Sequence, residues 1–138
     1  MSYAGDLDPT DSYRLLADDP LAVLVDVRTR AEWNYVGMPD LSSIGKQVVQ
    51  LEWLTFPDGE VDRDFVDKLE QAGVPRQAPV LFLCRSGQRS VAAANAARAA
   101  GYTRAYNVVQ GFEGGLDAAG HRGGDSGWKA LALPWRQT

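Results

Sequence analysis

The sequence predicts one α/β domain, with a central, mainly parallel sheet flanked by helices on both faces. Three observations carry that expectation. Apolar runs stand at residues 21–27 and 79–83, the pattern of strands buried on both sides. Segments with helical character alternate with them at residues 9–17, 62–72 and 91–100, as an α/β architecture requires. The chain has 138 residues, 45% hydrophobic and 23% charged, which suits one domain with a sizeable core.

In chain order, Asp8 is a good N-cap and Pro9 suits the first helical position, so a helix is expected over 9–17. Tyr13, Leu15 and Leu16 give it an apolar face, and Asp18-Asp19-Pro20 ends it. The strand at 21–27 is interrupted by Asp26 near the end where open α/β sheets place their ligand crevice. Asp26 is expected to tie down the next turn, and Arg28 to form an ion pair with Asp26 or Glu32. Residues 29–35 form a short helical turn with Trp33 and Tyr35 as packing anchors. A polar loop at 42–46 leads to a second strand at 47–53, and Pro57-Asp58-Gly59 marks a turn. The helix at 62–72 presents Phe65, Val66 and Leu69 on one face, with its acidic residues in solvent. Residues 102–109 make another strand, and 111–119 a turn with a short helix. The tail from Gly120 carries Trp128, Leu131, Leu133 and Trp135 and is too apolar for a disordered end. It packs on the sheet, on a neighbouring helix, or in a dimer contact. The domain proper spans 1–120, with 121–138 an extension packed on it.

The chemistry concentrates in Cys84-Arg85-Ser86-Gly87-Gln88-Arg89-Ser90. An apolar strand leads into this stretch and an alanine-dominated helix leads out, ended by Gly101. A tight loop there turns successive N–H groups toward one point, and the helix adds its unsatisfied N–H groups and dipole. Positive surroundings favour a thiolate. Arg85 and Arg89 add charges able to grip an oxyanion with two parallel hydrogen bonds, and Gly87 supplies a backbone freedom such turns need. A single cysteine is commonly a small buried hydrophobe. Cys84, however, ends its apolar run and is followed at once by charged and polar residues.

At these residues the chain resembles the rhodanese family, whose active-site cysteine carries a persulfide sulfur. Leu24-Val25-Asp26-Val27-Arg28 with Glu32-Trp33 is similar to that family's first motif. Asn107-Val108-Val109-Gln110-Gly111-Phe112-Glu113-Gly114-Gly115 resembles its last strand and turn. Val36-Gly37-Met38-Pro39-Asp40 takes the place of a Gly-His-Ile-Pro-Gly-like segment but lacks the histidine, a departure that weakens any proposal of acid–base work there. The resemblance implies a rhodanese-like domain in which Cys84 is the nucleophile, Arg85 and Arg89 bind anions, and the N–H groups of Ser86, Gly87, Gln88 and Arg89 cradle the persulfide. It implies a small anionic sulfur donor such as thiosulfate, a thiol or cyanide acceptor, and no cofactor. A Cys-Gly-Ser/Ala-Gly loop, typical of mercaptopyruvate-using relatives, is absent.

Two other readings compete. A cysteine phosphatase uses the same thiolate-over-helix geometry, but with five residues between cysteine and arginine, where Cys84 and Arg89 have four between them. Its acid would be Asp58 or Asp62, both of which have ordinary turn or capping roles. Alternatively the domain is a persulfide carrier or interaction module for a protein partner. A redox role lacks a second thiol. With one Cys and one His, His121, neither a disulfide within the chain nor a multi-cysteine metal site is expected. The formal charge of −4 argues against nucleic acid or an anionic membrane as partner. No signal peptide or spanning run is visible, and the expected compartment is the cytoplasm.

Overall fold

A computed structural model of the chain describes residues 3–54, 59–116, 118–122, 124 and 126–137. Strands β1 (Gly5–Leu7), β2 (Val23–Asp26), β4 (Val49–Gln50), β5 (Val80–Leu83) and β6 (Ala105–Val108) form one sheet in the order β1-β6-β5-β2-β4. Every pairing in it is parallel. Helices α1 (Pro9–Asp18), α2 (Arg30–Tyr35), α3 (Phe65–Gln71) and α4 (Gln88–Ala99) connect the strands. A separate antiparallel ladder joins β3 (Met38–Pro39) to β7 (Trp135–Arg136).

The period-2 alternation of a strand divides the apolar runs between two cores. Val25, Val27, Val80, Phe82 and Cys84 face one side, against Phe65 and Leu69 of α3 and Ala93, Ala94 and Ala97 of α4. Leu24, Leu81 and Leu83 face the other, against Leu16 of α1, Phe112 and Trp128. The alanines explain why α4 lies close on β5 and β6. Short side chains permit close approach of helix to sheet, and all three are fully buried.

The segment leaving β5 turns to the first core through α4, and the segment leaving β6 turns to the second through Phe112. Between them opens the crevice that parallel sheets leave at their strands' carboxyl ends. In register, Asp26 lies beside Leu83, and Phe82 beside Asn107, so the residues that follow β2, β5 and β6 meet there.

Several elements differ from expectation for local reasons. β1 was not foreseen, being short and held mainly by its pairing to β6. The strand expected at 47–53 is reduced to Val49–Gln50. Helix α3 begins at Phe65 rather than 62, because Asp62 makes a turn instead: its carbonyl accepts from the Phe65 amide, and its carboxylate takes the Asp64 amide and Lys68. Helix α4 begins at Gln88, three residues early. No short helix forms among the described residues of 111–119. Tyr35, expected as an anchor, is 81% exposed, while Trp33 is buried. Asp58 and the turn beginning at Pro57 lie outside the described residues.

The tail returns to the domain. Trp128 is fully buried, meets Tyr13 edge-on at 5.8 Å, and its indole N–H donates to the Pro134 carbonyl at 2.7 Å. Among the described residues, no helix is long and apolar enough to cross a membrane.

Candidate active site

Cys84 follows the last residue of β5, and Gly87 ends the loop as the N-cap of α4 with φ of 105°, a left-handed conformation that glycine takes without strain. The Gly87 amide donates to Cys84 Sγ at 3.1 Å, and the Ser90 hydroxyl lies 3.2 Å from the same sulfur. Burial alone pushes the thiol up. The Ser90 hydroxyl and the amides of Ser90, Gly87 and Ser86 outweigh it and hold the pKa below its ordinary value. The residue is only 1% exposed, so the sulfur faces amides and a hydroxyl from a sheltered position.

The loop's outward face explains its inward one. The Phe112 amide donates to the Cys84 carbonyl at 2.8 Å, and the Glu113 and Gly114 amides both reach the Arg85 carbonyl. With its carbonyls bound to that turn, the loop is free to aim its N–H groups at the sulfur. Gly111 makes the approach possible. It sits at φ of 57°, and a Cβ there would stand 2.3 Å from the Cys84 carbonyl oxygen.

The arginines part company. Arg85 is exposed, and its guanidinium pairs with none of the described residues. Arg89 is half-buried and gives two parallel hydrogen bonds, 2.7 and 2.9 Å, to Glu32. Glu32 also closes a capping box on Thr29 at the start of α2. Its burial raises the carboxyl pKa, but the hydrogen bonds and charge of Arg89, with the Thr29 amide and the charge of Arg28, more than reverse this. Gln88 is exposed and Ser86 half-buried. Arg28 is fully buried, bidentate on Asp26 at 2.9 and 2.6 Å, bonded to the Gly37 carbonyl, and 4.3 Å from the Phe112 ring. This strut ties β2 to the turn that holds the active loop.

Two residues near the sulfur were not singled out from sequence. Ser90 closes the motif, and its place in the first turn of α4 was the available signal. Asn107 accepts from the Ser90 hydroxyl at 2.5 Å. Its polarity inside an apolar strand was a signal too, but the partner sits 17 residues away. Among the described residues no group of His, Cys, Asp and Glu has metal-binding geometry.

The fold, a five-stranded parallel sheet with the cysteine loop at its carboxyl edge, is rhodanese-like, and solved structures share it. A polysulfide-sulfur transferase homodimer from Wolinella succinogenes aligns with a TM-score of 0.66 at 23% identity, over 96% of this chain and 78% of that one. The family model for the STR4 middle domain matches residues 5–138, and the chain belongs to that family. Rv0390 from M. tuberculosis is similar at 56% identity and a TM-score of 0.91, over 99% of this chain and 100% of that one. An uncharacterized protein of Rickettsia conorii, RC0915, is 41% identical over 128 residues, 92% of this chain and 93% of its own. A chloroplastic thylakoid rhodanese-like protein of Oryza sativa subsp. indica is 30% identical over 125 residues, 90% of this chain but 23% of that protein.

Proposed function

We propose that the domain transfers sulfane sulfur through a persulfide on Cys84. The thiolate attacks the outer sulfur of a small donor such as thiosulfate. The Sγ–S bond forms, the donor's S–S bond breaks, and sulfite leaves with the electron pair. The terminal sulfur keeps one negative charge, stabilised by the loop amides. A thiol acceptor, as thiolate, then attacks that sulfur and leaves with it, returning Cys84 to its anionic form. Cyanide serves as acceptor in an assay, and a protein thiol is an alternative destination.

The observation that carries this reading is the Gly87 amide donating to Cys84 Sγ at 3.1 Å, on a thiol with a lowered pKa. The Wolinella protein that shares the fold, itself a polysulfide-sulfur transferase, is in keeping with it. Arg85, whose guanidinium pairs with none of the described residues, is assigned to attract the donor. Arg89 carries its charge already balanced by Glu32, so its part is to hold the first turn of α4 against α2 and to offer a weaker anion contact. Ser86, Gly87 and Gln88 act through the loop backbone.

The test is intact mass after thiosulfate treatment. Wild type is expected to gain the mass of one sulfur atom, removed by reductant, and Cys84→Ala to gain none. A wild type that gains nothing from thiosulfate or polysulfide sinks the proposal. Stoichiometric loading without turnover on small acceptors assigns the domain to sulfur carriage for a protein partner.

A further inference from the structure

A line of hydrogen bonds runs from the sulfur across the sheet to its edge. Cys84 Sγ lies 3.2 Å from Ser90 Oγ, which donates to Asn107 Oδ1 at 2.5 Å. Asn107 Nδ2 donates to Asp6 Oδ1 at 3.1 Å, and the Tyr3 hydroxyl donates to that same oxygen at 2.8 Å. Asp6 and Asn107 are register partners in β1 and β6. Ser90 is fully buried and Asn107 nearly so.

The direction of this chain is dictated by donor counts. An ionised Asp6 only accepts, so it takes the Asn107 NH₂ and turns Oδ1 toward Ser90. Oδ1 also only accepts, so it draws the single Ser90 proton. Ser90 then presents a lone pair to the sulfur, which suits a thiol donating its S–H and does not suit a thiolate. To meet a thiolate, Ser90 must swing its proton onto the sulfur and leave a buried amide oxygen without a donor. A persulfide carries its charge on the outer sulfur, so in that state Ser90 keeps its bond to Asn107.

We infer that Asn107, oriented by Asp6, is a positioning residue that holds the Ser90 proton away from Cys84 and so favours the sulfur-loaded state over the bare thiolate. The favoured loaded state rests on the sulfur-transfer proposal; the control of the Ser90 proton does not. The experiment is therefore the pH profile of Cys84 alkylation by iodoacetamide, which needs no sulfur donor. The charged groups around the site are Arg85 and Arg89 on the loop and α4, Glu32 on α2, the Asp26–Arg28 pair beside β2, and Asp6 on β1. Asn107→Leu and Ser90→Ala alter none of them.

Asn107→Leu is expected to lower the midpoint of the profile by about one pH unit, the value of one buried hydrogen bond. Asn107→Leu should have no effect in the Ser90→Ala background. A midpoint that stays or rises in Asn107→Leu, or falls equally without Ser90, overturns the inference. Asn107→Ala carries the same expectation with less bulk. Should neither Asn107 variant fold, Asp6→Ala at the exposed edge, which removes the acceptor of the Asn107 amide, decides. A lowered midpoint that persists at high salt supports the inference, and an unchanged midpoint, or a shift abolished by salt, overturns it. With the midpoint result in hand, faster discharge of the Asn107→Leu persulfide to a thiol would tie the network to sulfur retention, and unchanged discharge would overturn that part alone.

Discussion

Cys84 combines near-complete burial with a lowered pKa, a pairing that requires the loop's dipoles to exceed the cost of desolvation. The sign of the pH dependence follows. Its folded pKa lies below its ordinary value, so the stabilisation from the ionised thiol is present above the unfolded pKa and is lost as pH falls through the folded one. Alkylation at pH 7 is expected to be faster than for a free thiol with small iodoacetamide and slower with a bulky maleimide, as burial blocks the larger reagent. Equal rates with both would show a sulfur more open than its burial indicates. Gly111 is the other residue on which the loop depends. Gly111→Ala places a methyl against the Cys84 and Arg85 carbonyl groups at a positive φ, and should cost about 1–3 kcal/mol in urea unfolding. It should also raise the alkylation midpoint, because the loop must shift to admit the methyl.

At the scale of elements, α2 and α4 are joined by Glu32 and Arg89, and the short α2 depends on its cap. Thr29 accepts from the Glu32 amide, and Glu32 Oε1 accepts from the Thr29 amide and from Arg89. Thr29→Ala should cost about 0.5–2 kcal/mol and slow sulfur loading, since Glu32 loses one of the bonds that aim it at Arg89. A stability loss with unchanged loading would show that α2 serves the fold alone. Glu32 has a folded pKa below its ordinary value, so its contribution is present above the unfolded pKa and is lost as pH falls through the folded one.

Across the whole molecule, distant segments converge on the sheet's carboxyl edge, and the C-terminal segment closes the second core. Trp128→Ala removes a fully buried indole packed on Tyr13 and should cost about 3–5 kcal/mol in the urea midpoint analysis. A loss under 1 kcal/mol would mean that the tail contributes little to this core. Arg28→Met leaves the buried Asp26 carboxyl without its partner, so a loss of about 3–5 kcal/mol is expected. Arg28→Met combined with Asp26→Leu should recover much of it, because the pair is then replaced by apolar groups.

The local patterns of the chain determined the class of fold and the position of the thiol. The apolar runs at β2 and β5, the Asp8-Pro9 cap of α1 and the alanines of α4 are short-range signals, and each names its element. The Cys84 to Ser90 stretch was legible for the same reason, since a strand, a glycine turn and a helix follow one another without a gap. Tertiary structure decided what no local pattern encodes: the edge strand β1, the pairing of Arg89 with Glu32 57 residues away, and the Asn107 contact to Ser90. It also decided that Gly111 must be bare beside the Cys84 carbonyl. Helix and strand signals live within a few residues, whereas partners for charges and hydroxyls are settled only when the sheet brings separate strand ends together.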